Sequence, residues 1–217
     1  MMLGPVNFIN SSIAGRSYEV AKKEVQSLWK EIRRLKKVME EEPDSDEMMI
    51  CPMPAVKIST YRDYLEAARD YFEARGWEYE LTKEEAADKE FNDRLKGVQS
   101  IEISYGGFLC GGEDRTLTFD GQKIITDSSY VLRVPSEEEM FREFYKGMTK
   151  DELLEKLKDF HMGEWKKWYE DICVMDGIRW SVVFKYSDGK KREFSGSNRF
   201  PYNFYGFLDM MQMEAIE

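Results

Sequence analysis

The stretch DGIRWSVVFKYSDGKKREFSGSNRFPYNFYGFLD, residues 176–209, carries the clearest structural code in the chain. Trp180, Val182, Phe184 and Tyr186 alternate with Ser181, Val183 and Lys185. That period of two is expected of a strand with one buried face. Asp188-Gly189 predicts a two-residue hairpin turn, because glycine, and to a lesser degree aspartate, tolerates the positive φ such a turn needs. A second strand, a break at Gly196 and a helix started by Pro201 follow. The succession points to an antiparallel sheet packed by helices, and it speaks to architecture more than to activity.

N-terminal to this stretch the same signals recur. Val98, Ile101, Ile103 and Tyr105 predict a strand, and Leu117 and Phe119 meet Ile124 across an Asp120-Gly121 hairpin; Tyr130, Leu132 and Val134 predict another strand. Three capping boxes announce helix starts, at Thr82 with Glu85, Ser136 with Glu139 and Thr149 with Glu152. In each, a hydroxyl satisfies a free backbone amide and an acid three residues on returns the bond. The last two open helices carrying Met140, Phe141, Phe144 and Tyr145, then Leu153, Leu154, Leu157 and Phe160. Trp165, Trp168 and Tyr169 read as a short aromatic helix over residues 164–169.

Residues 1–15 are punctuated by Gly4, Pro5, Asn10 and Gly15 and predict an irregular lead-in. Tyr18, Ala21, Val25, Leu28, Ile32, Leu35 and Met39 then fall on one helical stripe with a period near that of a coiled coil. An ordinary core-facing helix shows much the same stripe, but self-association of two chains through Val25, Leu28, Ile32 and Leu35 is one expectation. Lys30, Arg33, Arg34, Lys36 and Lys37 make the outer face locally basic, although Glu24, Glu31 and Glu40 interleave. The charged, proline-broken residues 40–47 read as a linker. Residues 1–47 are thus expected to form a lead-in, a helical arm and an acidic linker, and residues 48–217 a single α+β domain. Within the latter, Tyr61, Tyr64, Leu65, Ala68, Tyr71 and Phe72 predict a helix closed by Gly76.

Composition narrows the function classes. The 217 residues hold 42 acidic and 32 basic side chains, a formal charge of -10, which opposes non-specific attraction to nucleic acid or anionic membrane. Cys51, Cys110 and Cys173 lie far apart without a Cys-x-x-Cys pair and fit a reducing compartment. The N-terminus lacks a basic signal-peptide region and no run reaches the length of a membrane span, so a cytoplasmic location is expected.

No catalytic or cofactor motif rises above background, and no cofactor or metal is implied. The run Tyr105-Gly106-Gly107-Phe108-Leu109-Cys110-Gly111-Gly112 lacks the Gly-Lys-Ser/Thr and following helix of a phosphate loop, and reads as a bulged connection between strands. His161 is the single histidine and falls at a helix end. Asp171, Asp176 and Asp188 could form an acid pair or a hard-cation site, but Asp176-Gly177 and Asp188-Gly189 are explained as turns. Residues 198–205 combine aromatic faces, amides and a guanidinium. Arg199, Tyr202, Asn203 and Tyr205 are the candidate ligand- or partner-binding residues, with Asn203 also fit to cap the terminal helix.

The arrangement Trp165, Trp168 and Tyr169, then Asp176-Gly177 with Trp180, Tyr186-Ser187-Asp188-Gly189, Gly196-Ser197-Asn198 and Pro201-x-Asn203-Phe204 resembles an uncharacterised domain family of anaerobic, largely Gram-positive bacteria. The resemblance covers roughly the last third to half of the chain. It implies a bacterial or phage-related setting and carries no activity, cofactor or catalytic residue with it. The favoured expectation is a non-catalytic intracellular protein-interaction module, an acidic inhibitor or regulator of a basic partner, with a homodimer through the arm and no nucleic acid or membrane. The alternative is a small-ligand binder or enzyme using residues 106–112 or 198–203, which would require at least two of His161, Asp171, Asp176, Arg199 and Asn203 to converge in a concave pocket.

Overall fold

The structure, a computed structural model, describes residues 2–107, 111–132, 134–135, 137, 143–174 and 176–214. The chain divides into two compact units, Met1–Leu81 and Thr82–Glu217. It is an α+β fold with a mostly antiparallel six-stranded sheet and an N-terminal helix. The capping box at Ser136 and Glu139, with Met140 and Phe141, lies outside the described residues.

The first unit is helical. Its lead-in is ordered where an irregular segment was expected: α1, Pro5–Phe8, runs into a π-helical turn over Ile9–Ile13. Phe8 stacks on Tyr64 with ring centroids 4.3 Å apart, and Ile13 is wholly buried. Helix α2, Tyr18–Glu41, buries Ala21, Val25, Leu28, Ile32 and Leu35, as its stripe predicts, together with Trp29. It packs on α3, Pro54–Ala74, whose buried face holds Ile58, Tyr64, Leu65, Ala68 and Phe72.

Helix α3 ends in a Schellman arrangement. The amide of Trp77 donates to the carbonyl of Phe72 at 2.9 Å and that of Gly76 to Glu73 at 3.0 Å, while the Trp77 and Phe72 rings meet edge to face. Gly76 takes φ +65°, which explains why glycine closes this helix. Two features differ from the sequence reading. Helix α3 belongs to the first unit and not to a domain beginning at residue 48. The acidic segment is not a free tether either: Glu47 lies in a 3-10 turn, Asp46–Met49, and accepts from Arg34, which also bonds Glu31. Two of the charges that make residues 40–47 look solvated are thus paired with α2, Glu47 with Arg34 and Glu41 with Lys37, while Glu42, Asp44 and Asp46 are exposed.

The second unit is a sheet with one covered face. Its strands are β1 (Val98–Gly107), β2 (Gly111–Asp120), β3 (Lys123–Val131), β4 (Trp168–Glu170), β5 (Ile178–Tyr186) and β6 (Lys191–Ser197), in the order β3-β2-β1-β5-β6-β4. Cross-strand pairing sets three buried rows: Leu117, Ile101 and Phe184; Arg115, Ile103, Val182 and Phe194; Glu113, Tyr105, Trp180 and Gly196. Because side chains alternate, Asp114, Ser104, Ser181 and Ser195 lie on the opposite face, and Gly112, Gly106, Arg179 and Ser197 form the row beyond them.

Helix α4 (Lys83–Leu95) sets Phe91 edge to face against Phe184 at 5.1 Å, α5 (Lys150–Lys158) adds Leu153, Leu154 and Leu157 to the same core, and α6 (Phe204–Met210) lays Phe204 4.5 Å from the Trp180 ring. Each such large side chain buried stabilises the fold by about 1.5–3 kcal/mol. Both described capping boxes form as the sequence predicts.

The hairpins refine the turn reading. Asp120 pairs with Lys123 around Gly121, at φ +58°, and Gln122, a two-residue loop. At Asp188-Gly189 only Gly189 has positive φ; Tyr186 accepts from Gly189 and donates to Lys190, so the loop is Ser187, Asp188 and Gly189, one residue longer than expected. Tyr130 continues β3 without a new strand, and the chain leaves the sheet at Leu132, at φ +53°. The aromatic helix expected over residues 164–169 is instead a 3-10 turn, Met162–Glu164, followed by β4, which pairs parallel with β6. Edge pairing overrides the helical spacing of its aromatics: Tyr169 faces the core while Trp168 and Glu170 face out.

Candidate functional site

The candidate residues of the C-terminal segment are mostly internal fasteners. Asn203 accepts from Trp165 Nε1 at 3.0 Å and donates to the carbonyl of Phe160 at 2.7 Å, so its side chain ties α6 to two core elements and does not cap the helix. Arg199 pairs with Asp171 at 3.5 Å, and its carbonyl accepts from Trp180 Nε1 at 2.8 Å. Tyr202 is half-buried, and Tyr205 is exposed with its ring against Phe200 at 5.5 Å. Asn198, at φ +58°, donates to the carbonyl of Val174 and covers Gly177 so closely that a Cβ there would lie 1.7 Å from Asn198 Oδ1. Asp176-Gly177 is therefore not a turn like Asp188-Gly189: glycine is required by a side chain packed over it. Gly196 likewise does not break β6; a Cβ would meet Trp180 Nε1 at 2.5 Å.

Of the residues that an enzyme would have to gather, Asp171 and Arg199 meet as an ion pair, whereas Asp176 lines a cleft whose lining includes none of the other four. His161, held at φ +47°, bonds Asp88 through Nδ1 at 2.8 Å, and the other Asp88 oxygen accepts from the amide of Gly163 at 3.1 Å. Gly163 lies against the backbone of Ala87 and Asp88 with no room for a Cβ. Glu164 completes a group whose donor atoms lie within 4.8 Å of one another. Both oxygens of Asp88 already serve this clasp between α4 and the turn. Asp188 bonds the amide of Lys190, which holds its carboxyl below the usual carboxylate range, with Arg94 adding to the effect.

The helix residues expected to join two chains are used within one. Val25, Leu28, Ile32 and Leu35 are all buried inside the first unit. Of the basic cluster outside them, Arg34 is engaged by Glu31 and Glu47.

A cleft of about 360 Å³ opens elsewhere, where β1 ends and β2 begins. Gly106 and Gly112 pair directly across the two strands, so close that a Cβ on Gly106 would lie 2.5 Å from the Gly112 Cα. The glycine run is thus a tight strand pair, in keeping with its reading as a strand connection, although no register shift marks a bulge between β1 and β2. Each strand fills the other's side-chain space here, and the cleft opens at this end of the pair. Ser104, Asp114, Asp176 and Arg179 line it along with the glycines. Among the described residues, none of the Asp114, Asp176 and Arg179 side chains has a hydrogen-bonding or ion-pairing partner. Asp114 and Arg179 stand two strands and two residues apart, roughly 12 Å between their Cα atoms from ordinary strand spacings.

The registers bring further groups to the same end of the sheet, since β3, β4 and β6 end there and β5 begins. Val131 and Leu132 emerge from β3, with Leu132 81% exposed. On the opposite side, Ile172 is 84% exposed and Val174 46%, in the segment joining β4 to β5. That segment is held in place: the Asp171 amide donates to Ser197, its carboxylate accepts from Cys173, and Asn198 and Arg199 bind it from β6. Val131 itself lines the cleft and Leu132 follows it, while Ile172 and Val174 precede Asp176 in the segment that leads into it.

Immediately behind the cleft lies a buried network that the sequence reading missed. Arg115, 2% exposed, bonds Glu113, Ser128 Oγ at 3.1 Å and the carbonyl of Met211 at 2.5 Å, and its guanidinium lies 4.0 Å from the Phe144 ring centroid. Tyr145 donates to the same carbonyl at 2.8 Å, and burial pushes its hydroxyl up to about 12. The signal was present in the alternation Glu113, Arg115, Leu117 and Phe119, which puts two opposite charges on the core-facing positions of one strand. Compared with known proteins, the chain matches no family model, no curated protein and no solved structure. Among the described residues no helix is long and apolar enough to cross a membrane.

Proposed function

We propose that the chain is a non-catalytic binding module that docks a partner protein on the glycine end of its sheet, in the bacterial, intracellular setting that the family resemblance implies. The observation that carries this reading is the presence of exposed aliphatic groups, Val131 with Leu132 and Ile172 with Val174, at the end of the sheet where a cleft holds Asp114, Asp176 and Arg179, none of which has a side-chain partner among the described residues. Exposed aliphatic groups on an ordered frame are the usual mark of a recognition surface. Catalysis is the weaker reading, because His161, Arg199 and Asn203 are tied to Asp88, Asp171 and the pair Trp165 and Phe160.

The test is a selection of phage-displayed random dodecapeptides on the full chain, followed by affinity measurements of recovered peptides on the wild type and on Leu132→Asp/Ile172→Asp. Loss of affinity of tenfold or more in the variant is expected. Recovered peptides that bind both proteins equally, or a selection that enriches nothing, would overturn the reading.

A further inference from the structure

From the charges around the cleft we infer that its occupant is an extended segment of the partner that carries a single basic residue between aliphatic residues. The inference rests on the docking end proposed above and assigns its chemistry. The cleft offers two carboxylates, Asp114 on β2 and Asp176 just before β5, neither of them paired with a neighbour among the described residues. A third acid, Glu113, lines it as well but is spent on Arg115 behind the sheet. The chain as a whole carries a formal charge of -10, so a cation approaches down the field of the whole molecule as well as toward these two groups.

The remaining lining charge limits how much positive charge is accepted. Arg179 stands in the row of Gly106 and Gly112, one strand beyond the glycines. Its guanidinium repels a second cation and can donate to carbonyls of a bound backbone. A lone lysine or arginine therefore fits, and a polybasic run does not. The glycine lining supports the same geometry. The glycines put no side chain into the cleft, so a bound main chain meets backbone there, and an extended segment can carry flanking aliphatic residues toward Leu132 on one side and Ile172 on the other.

The experiment uses the full chain and the same random dodecapeptide library. Recovered peptides are sequenced, resynthesised with their lysine or arginine exchanged for glutamine, and titrated against the wild type, Asp114→Asn/Asp176→Asn and Leu132→Asp/Ile172→Asp at low and high salt. One basic residue between aliphatic residues is expected in the recovered sequences. A tenfold or greater loss is expected both on its exchange and in Asp114→Asn/Asp176→Asn, and salt should weaken binding of the wild type. Peptides that lose affinity in Leu132→Asp/Ile172→Asp but keep it in Asp114→Asn/Asp176→Asn would overturn the basic residue and leave the docking end standing. Acidic or polybasic consensus sequences would overturn it as well. Peptides indifferent to both variants would sink the docking end and the inference together.

Discussion

Residues 198–205 and residues 104–114 make an instructive pair. The first is rich in groups that bind things, a guanidinium, two amides and two phenols, and the guanidinium and both amides are engaged within the chain: Asn203 joins Trp165 to Phe160, Asn198 holds Val174 and Arg199 meets Asp171. The second holds Gly106, Gly107, Gly111 and Gly112 and reads as plain scaffolding, yet these glycines line the cleft. The difference is one of satisfaction. A polar side chain marks a recognition site only when the fold leaves it without an internal partner, and glycines can make a site by what they lack.

Glu113 and Asp114 compress the same contrast into adjacent residues. They point to opposite faces of β2, one buried against Arg115 and one exposed in the cleft. Substitutions on the buried side should cost stability, whereas those on the open side should cost binding. The largest effect is expected for Arg115→Met, which leaves Glu113 and the Met211 carbonyl with fewer partners and should destabilise the chain by about 3–5 kcal/mol in denaturant titration. Adding Glu113→Leu to it should restore much of that loss, since a buried pair replaced on both sides by apolar groups is close to neutral. Failure of the second change to rescue the first would mean that the Met211 contact, and not the ion pair, dominates.

Asn203→Ala comes next. It strands a buried indole N–H and a carbonyl, each costing about 1–3 kcal/mol, so a loss of about 3–4 kcal/mol is expected with peptide affinity unchanged once the protein is folded. A stable Asn203→Ala protein that no longer bound peptide would return the C-terminal segment to the role of a site.

The Tyr145 hydroxyl adds a pH dependence. Its folded value is raised from 10.0 to about 12 because burial disfavours the phenolate, so the folded state keeps its proton where the unfolded chain loses it. The corresponding stability is fully present below pH 10 and is lost as pH rises toward 12, by about 2–3 kcal/mol. Unfolding curves between pH 9 and 12 should be flatter for Tyr145→Phe by that amount. The smallest stability effect is expected for Asp114→Asn/Asp176→Asn, under about 0.5 kcal/mol because both groups are exposed and unpaired. A larger loss in thermal unfolding would mean that these carboxylates support the fold and are not reserved for a ligand.

Much of this architecture is legible in the residues themselves. The alternation from Trp180 to Tyr186, the Asp120-Gly121 turn, the boxes at Thr82 and Thr149 and the stripe on α2 are local signals, and local physics decides them. What was not legible depends on partners distant in sequence. Trp165 and Trp168 sit at helical spacing, but the free edge of β6 recruits Trp168 into a strand. The seam of α2 could have met a second chain or a neighbouring helix, and only the fold of the first unit decides for α3. Gly177 and Gly196 look like turn and breaker residues until Asn198 and Trp180 are seen to occupy the space a Cβ would need. Of the candidate site, the glycine run could be singled out from sequence, whereas Asp114 and Arg179 could not, because strand register alone brings them to it.

Hydrogen–deuterium exchange of the full chain with and without a peptide recovered from the display selection tests the central claim most directly. Slowed exchange is expected in the segments that bear Ser104 to Gly107, Gly111 to Asp114, Val131 with Leu132, and Ile172 to Arg179, with residues 199–205 unchanged. Protection confined to residues 199–205, or to the first unit, would contradict a recognition surface at the glycine end of the sheet.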